Sequence, residues 1–307
     1  METVLITGGT GMLGSALSRA LLDKGYQVII LTREKDRKGG GGISYAYWDA
    51  DNGIIDKAAI EISDYIVHLA GANLAGGRWT AKRKKIFTDS RVKTGELIVK
   101  AVKEIPNKIK AVISASAIGY YGPDPQIPNP DPFKENAVPD HSFLGTLVQQ
   151  WEGAIQPVKA SGKRLVILRF GIILSADGGA YDEFKKPLKF GLSTVLGNGK
   201  QVVSWIHIED AVRLIIHCME NEKFKGAYNA VAPGPVNNKT LMKTIARYEA
   251  GRYISLPVPS LALKIALGEM SIEVLKSATV SSEKARNEGF EFRYPDIDSA
   301  IQKLAAS

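Results

Sequence analysis

Ser116 and the two tyrosines that follow it, Tyr120 and Tyr121, are the residues whose types could carry out acid–base chemistry. They come directly after an apolar run at 109–115, which predicts a buried strand. A serine hydroxyl can hydrogen-bond a substrate carbonyl or hydroxyl. A tyrosine can donate a proton when its surroundings lower its pKa from about 10. We expect Ser116 to be catalytic, with Tyr120 or Tyr121 as the acid; the alternative for Tyr121 is a packing role.

The first fifteen residues have the pattern of a dinucleotide-binding unit: a β-branched run, a glycine turn and a helix with apolar spacing. Gly8 would permit a tight turn, Gly11 a close approach of the backbone to a pyrophosphate, and Gly14 close packing of helix on strand. The helix N-terminus offers free N–H groups to the phosphates. We expect this turn to bind the cofactor through Gly8, Thr10, Gly11, Met12, Leu13 and Gly14.

Residues at the ends of three further predicted strands complete the expected cofactor site. Arg33 follows the strand 27–32, at the place where an acid would favour NAD and an arginine suits the 2′-phosphate of NADP. Ala70 and Gly71 follow the strand 65–69 and leave room for a cofactor, and Ser114 ends the strand 109–115. We therefore predict NADP(H) in preference to NAD(H); the alternative is that Arg33 is a solvated loop residue.

Three residues from the second half of the chain are candidates for substrate contact. Arg169 at the end of the strand 164–170 is an expected anion anchor, and Trp205 and His207 are expected to face the same crevice. His68 and Cys218 are interpreted as packed residues, and we expect no metal site.

The order of the predicted elements indicates an α/β fold of the Rossmann type, with a doubly wound parallel sheet. A proline-rich loop at 123–139 follows the strand that carries Ser116, where a substrate wall belongs. We predict an NAD(P)-binding core at 1–170, a mixed part at 171–255 that completes the core and the substrate side, and a smaller, mostly helical C-terminal region at 256–307.

Composition narrows the classes of function. The chain has 307 residues, a formal charge of +8 and one cysteine. A disulfide framework is therefore excluded, which favours the cytoplasm. No apolar run reaches the ~20 residues that span a bilayer, so we expect no membrane segment. The densest basic cluster, at 78–93, is interpreted as a solvated helix face, and we expect a small-molecule substrate, not nucleic acid.

Several motifs together resemble the extended short-chain dehydrogenase/reductases, the superfamily of nucleotide-sugar epimerases and dehydratases. They are the opening glycine turn, the segment 68–71, Ser114–Ser116 with Tyr121-Gly122, and the segment 205–211. A narrower match is similar to the bacterial "epimerase family protein" group. It rests on Arg78-Trp79, Ser90-Arg91, Trp151-Glu152, Ser204–His207 and the C-terminal stretch from Leu256. The resemblance implies a group without the usual active-site set.

The superfamily uses a tyrosine as acid and base, with a lysine four residues later that lowers its pKa and binds ribose. Counting back from Trp151-Glu152, the tyrosine position falls at Phe143 or Leu144 and the lysine position at Leu147 or Val148. None of these side chains can transfer a proton or carry a positive charge. The pair Tyr181 and Lys185 has the spacing but comes after the strand 164–170. We interpret it as non-functional.

Two functions therefore stay open at this point. One is an NADP-dependent oxidoreductase or epimerase that acts on a small polar substrate. The other is a non-catalytic protein that binds NADP(H) and senses redox state. The complete glycine turn is compatible with both, the missing pair favours the second, and the retained Ser116 favours the first.

Overall fold

A computed structural model of the chain describes residues 1–306 and has a mixed α/β architecture. The strands are β1 (Thr3–Thr7), β2 (Gln27–Thr32), β3 (Ile43–Asp49), β4 (Ile54–Ile55), β5 (Tyr65–His68), β6 (Ala111–Ala117), β7 (Arg164–Phe170), β8 (Ile172–Ser175), β9 (Gly178–Gly179), β10 (Leu192–Leu196), β11 (Val202–Val203), β12 (Trp205–His207), β13 (Gly226–Ala230), β14 (Val236–Asn237) and β15 (Ile254–Val258). The helices are α1 (Met12–Asp23), α2 (Lys57–Ile62), α3 (Ala81–Glu104), α4 (Phe143–Ile155), α5 (Ala180–Lys185), α6 (Ile208–Glu220), α7 (Asn238–Glu249), α8 (Ser260–Leu267), α9 (Met270–Leu275), α10 (Glu283–Asn287) and α11 (Ile297–Ala305).

The central sheet has eight strands in the order β13-β7-β6-β5-β1-β2-β3-β4. Every pairing in it is parallel except that of β3 with β4. The strand order reverses between β1 and β5, which is the switch point where open α/β sheets bind ligands beyond the carboxyl ends of their strands. The predicted doubly wound fold is confirmed.

Two apolar cores cover the two faces of this sheet. One face packs on α1 and α6, with Leu17 and Leu214 among its buried residues. The other packs on α2 and α3 through residues such as Ile60 and Ile98. Because both faces are covered, β1 and β2 are continuous apolar runs, and their bounds agree with those predicted.

The second half of the chain contributes to the central sheet as well as to a separate core. Strand β13 pairs with β7, so the sheet draws on residues beyond 170. A third apolar core joins α5, α7 and α11 with Trp205. The proposed division of the chain at 170 and 255 stays a prediction.

The C-terminal region reaches back to the start of α3. Lys84 forms an ion pair with Glu269, and the Arg78 guanidinium donates to the carbonyls of Ile265 and Ala266 at the end of α8. No helix within residues 1–306 is long and apolar enough to span a membrane.

The sequence Leu256-Pro257-Val258-Pro259 predicts a stiff connector, yet most of this segment belongs to strand β15. Strand β15 pairs in parallel with β10, and Leu256 lies opposite Thr194 in this pairing. Strand β15 lies at the edge of a two-stranded sheet, where Pro257 can be accommodated because one side of the strand needs no ladder hydrogen bonds. The pairing is long-range, so local composition does not reveal it.

Candidate cofactor cleft and active site

The glycine turn after β1 is packed too closely for side chains at two positions. Gly8 has φ +68°, and a Cβ there would lie 2.9 Å from the carbonyl of Leu69. A Cβ on Gly14 would lie 2.4 Å from the Gly8 oxygen, which is a severe overlap with backbone. The predicted roles of Gly8 in the turn and Gly14 in helix packing agree with this geometry.

Gly11 differs from its neighbours because the protein leaves the space beside it open. A Cβ there would approach only the Gly8 oxygen, at 3.4 Å. Gly11 precedes α1 without a side-chain cap, and the first turn of α1 contains no acid. The N–H groups of this turn therefore face no carboxylate from their own helix, and they suit an anionic group such as a pyrophosphate.

A buried pair of side chains holds this turn against the strand β5. The Thr7 hydroxyl oxygen lies 2.8 Å from His68 Nδ1 and accepts hydrogen bonds from the backbone N–H groups of Leu69 and Ala70. Burial, followed by the charge of Arg91, lowers the pKa of His68 to about 3, so the imidazole is neutral at pH 7. His68 is a packed residue, as the sequence predicts.

The end of β2 presents a group of basic side chains to solvent. Arg33 is exposed, the Lys35 ammonium lies 5.2 Å from the Tyr47 ring centroid, and the Arg37 guanidinium lies 4.5 Å from that of Tyr45. Glu34, the first acid after the strand, is paired with Arg37. Residues 33–38 contain four basic and two acidic side chains, so the local charge at this end is positive, which suits a phosphate.

A buried ion pair supports Ser116 at the end of β6. Ser116 and Arg169 are register partners on β6 and β7. Arg169 donates from Nε to Glu152 Oε1 (2.7 Å) and from Nη2 to Oε2 (2.9 Å). The Ser116 hydroxyl donates to the same Oε1 at 2.6 Å. The anion beside Arg169 is therefore Glu152 on α4, so we place no substrate anion on this guanidinium.

The hydroxyl of Tyr121 belongs to the same network. It donates to Asn229 Oδ1 (2.6 Å) on β13 and accepts from Arg169 Nη1 (3.0 Å). The Tyr121 side chain is fully buried, and burial raises its pKa to about 12. These contacts correspond to the packing alternative for Tyr121. Tyr120 is partly exposed and lies under the Arg169 guanidinium, 3.4 Å from its ring centroid, and its catalytic role stays a prediction.

One cleft of about 330 Å³ connects the glycine turn with the end of β6. Its polar lining residues are Ser116 and Arg91, and the other lining residues are apolar or glycine. The apolar walls include the positions where the tyrosine and lysine were expected: Leu144, Leu147 and Val148. The structure thus places this part of α4 at the cleft, without side chains that transfer protons.

Several predicted site residues lie away from this cleft. Trp205 is fully buried in the third core, and its Nε1 donates to the Gly234 carbonyl. His207 ends β12 and caps α6, where its Nδ1 accepts from the Glu209 N–H. Ser114 is buried and donates to the Ala115 carbonyl. We therefore place no substrate or cofactor contact on these side chains.

The Tyr181 and Lys185 pair also lies elsewhere. Tyr181 is buried in the third core, and its hydroxyl donates to Glu249 at 2.6 Å. Lys185 lies 3.5 Å from the same carboxylate. This pair links α5 to α7 and does not reach the cofactor cleft.

Sequence reasoning missed two residues of the site, Glu152 and Arg91. Glu152 is 8% exposed although it carries a charge, and the sequence gives no local signal for this beyond its place next to Trp151. Arg91 belongs to the basic cluster that was interpreted as a solvated face, yet it is 7% exposed. Its place beside helix positions that pack on the sheet could have identified it as an inward-facing cation.

Comparison with protein families gives two matches that together cover most of the chain. Residues 4–231 match the NAD dependent epimerase/dehydratase family, and residues 258–304 match a domain of unknown function, DUF1731. The "Epimerase family protein YfhF" of Bacillus subtilis is 36% identical over 304 residues, which are 99% of this chain and 98% of the relative. The "Epimerase family protein SSP1921" of Staphylococcus saprophyticus is also 36% identical, over 99% of both chains.

Solved structures agree with these matches. The human epimerase family protein SDR39U1 (isoform 2), solved with NADPH, is 29% identical, covers 99% of both chains and superposes with a TM-score of 0.88. A UDP-N-acetylglucosamine 4-epimerase from Bacillus cereus shares the fold, with a TM-score of 0.78 at 20% identity over 100% of this chain and 99% of that one. The glycine turn, the sheet order and these similarities lead to one conclusion: the chain belongs to the NAD-dependent epimerase/dehydratase family.

Proposed function

We propose that this protein binds NADP(H) in the cleft and uses it to oxidise or reduce a small polar substrate next to Ser116. The observation that carries the proposal is a cleft that joins the glycine turn to Ser116, whose hydroxyl donates a hydrogen bond to the buried Glu152 carboxylate. The open side of Gly11 would accept the pyrophosphate, and the cofactor would supply the hydride acceptor or donor.

The preference for NADP(H) is supported by the positive end of β2. Arg33 is exposed there, and Lys35 and Arg37 lie on neighbouring tyrosine rings. A guanidinium can bind a 2′-phosphate by charge-assisted hydrogen bonds, whereas an acid at this place would repel it. The NADPH bound to the human relative agrees with this preference.

The proton would move through Ser116 and not through a tyrosine. A substrate hydroxyl that donates to Ser116 Oγ can lose its proton as Ser116 passes its own proton to Glu152 Oε1, 2.6 Å away. Reduction of a carbonyl reverses these steps. Arg169 holds the Glu152 carboxylate by two hydrogen bonds, so the carboxylate cannot turn away from Ser116.

The second candidate function is a redox sensor that binds NADP(H) without turnover. The observation that favours it is the apolar wall of Leu144, Leu147 and Val148 where the superfamily's proton-transfer pair was expected. Such a wall would bind a nicotinamide ring but would leave a substrate oxygen with Ser116 alone.

Two measurements on the same protein test the proposal. Fluorescence titration with NADPH and NADH should show tighter binding of NADPH, and Arg33→Ala should remove most of the difference, whereas Arg19→Ala on α1 is the control. Equal affinities, or NADH bound more tightly, would contradict the cofactor assignment. Absorbance at 340 nm over a panel of aldehydes and ketones should then show NADPH oxidation that Ser116→Ala abolishes without changing NADPH affinity. Binding without turnover over the whole panel would favour the sensor.

A further inference from the structure

Arg91 is a buried cation in the cofactor cleft without a carboxylate partner among residues 1–306. Its side chain is 7% exposed and lines the cleft together with Gly11 and Ser116. Nη1 donates to the carbonyls of Ala72 (3.2 Å) and Phe87 (3.1 Å). Nε and Nη2 donate to no group in the described part of the chain. Neither atom is among the fully buried donors without a partner in residues 1–306, so both are accessible, and a ligand in the cleft can replace water as their acceptor.

The guanidinium is held in place by its neighbours. It lies 4.9 Å from the ring centroid of Trp151 on α4. On its other side it packs on Gly71, where a Cβ would approach the guanidinium carbon to 3.0 Å. Burial lowers the pKa of Arg91 to about 10, so the group is still charged at pH 7. The Nε1 of Trp151, at the same wall, is a fully buried donor with no acceptor within residues 1–306.

The order of the strands places Arg91 between the two ends of the cleft. Gly71 follows β5, and β5 lies between β1, which carries the glycine turn, and β6, which carries Ser116. A dinucleotide with its pyrophosphate at the glycine turn and its nicotinamide near Ser116 has one ribose between those two points. The hydroxyl oxygens of that ribose are acceptors of the kind that Nε and Nη2 lack.

We propose that Arg91 binds the hydroxyl oxygens of the nicotinamide ribose and so supplies, from α3, the cation that α4 lacks at Leu147 and Val148. This inference rests on the proposed binding of NADP(H). It makes Arg91 a cofactor-binding residue that fixes the nicotinamide end of the cofactor. The adenosine end, at the basic side chains after β2, is held independently of Arg91.

The test compares two probes on the full-length protein. NADPH contains the nicotinamide ribose, whereas 2′,5′-ADP contains only the adenosine end with its phosphates. Arg91→Met should weaken NADPH binding by about tenfold or more, since charged hydrogen bonds are lost, and should leave 2′,5′-ADP binding unchanged. Lys100→Met, an exposed change on the same helix, is the matched control and should affect neither probe.

Arg91→Lys is a more conservative variant, which tests the inference even if Arg91→Met fails to fold. A lysine keeps the charge but not the planar set of donors, so we expect about a threefold or larger loss of NADPH affinity with 2′,5′-ADP unchanged. Wild-type affinity for NADPH in both variants would overturn the inference, as would an equal loss for both probes in folded protein. Wild-type protein that binds neither NADPH nor NADH would instead contradict the proposed function.

Discussion

Replacing Glu152 by glutamine should destabilise the protein strongly, although the two side chains have nearly the same shape. Arg169 and Glu152 are 4% and 9% exposed as side chains and share two hydrogen bonds. An amide can accept from Arg169 on one side only, and its NH₂ group then faces a second guanidinium donor. Arg169 would also be left as a buried cation without a counter-ion.

Removal of one partner from a buried ion pair costs about 3–5 kcal/mol. In Glu152→Gln, Arg169 keeps its contacts with the Tyr121 hydroxyl and the Glu135 carbonyl. We therefore expect the free energy of unfolding to fall by about 3 kcal/mol, at the lower end of that range. For a chain of this size, about 2 °C of melting temperature is lost per kcal/mol, which gives a decrease of about 6 °C.

The assay is thermal and denaturant unfolding of wild type, Glu152→Gln and a control. Asp177→Asn is a matched control because Asp177 pairs with Arg19 at the surface, where the side chains are 70% and 67% exposed. That change should cost less than about 1 kcal/mol. If Glu152→Gln unfolds at the same temperature and denaturant concentration as wild type, the ion pair does not stabilise the protein.

Three further predictions concern the turn, the distant tyrosine and the buried histidines. Gly14→Ala should abolish NADPH binding or folding, because the new Cβ would lie 2.4 Å from the Gly8 oxygen. Gly153→Ala is the control and should leave both intact, because the space around Gly153 is open. A Gly14→Ala variant that binds NADPH normally would contradict the close packing of the turn. Tyr181→Phe should leave NADPH affinity and any turnover unchanged and lower the free energy of unfolding by about 1 kcal/mol, because the hydrogen bond to Glu249 is lost. Loss of turnover in folded protein would disprove the interpretation of Tyr181 as non-catalytic. Burial lowers the pKa of His68 to about 3 and that of His207 to about 4 in the folded protein, whereas both have the ordinary histidine pKa of about 6.5 in the unfolded chain. Below about pH 6.5 the unfolded chain therefore binds more protons than the folded protein. Stability should therefore fall from pH 6.5 to 5 by up to about 1.4 kcal/mol per pH unit for each histidine, and His68→Gln should reduce that slope; an unchanged slope would show that His68 does not titrate on unfolding.

The parts of the fold that follow from local pattern were predictable. Strands β1, β2 and β7 agree with their predicted bounds because strands buried on both faces are continuous apolar runs. The glycine turn was identified because its spacing is set by backbone contacts at Gly8 and Gly14. Strand β15 was not, because its partner β10 lies far away in the chain and its own composition is that of a connector.

The candidate site was predictable only where a side chain acts alone. Ser116 was found because it ends a strand. The role of Arg169 was not, because it depends on Glu152 reaching it from α4, a contact that the sequence does not encode locally. Lys85 on α3 is solvent-exposed, as the interpretation of a basic helix face requires, but Arg91 on the same helix turns inward against Trp151. Arg91 comes four residues after Phe87 and seven before Ile98, both buried, so helical spacing could have identified it as the inward-facing cation of the cluster.

A crystal structure of the protein with NADPH tests the claim that the cleft holds NADP(H) with the nicotinamide beside Ser116. We predict the pyrophosphate at the N–H groups of the turn around Gly11, the 2′-phosphate at Arg33, and the nicotinamide ring between Ser116 and the apolar wall of Leu147. A dinucleotide bound outside the cleft, or a nicotinamide ring turned away from Ser116, would contradict the claim.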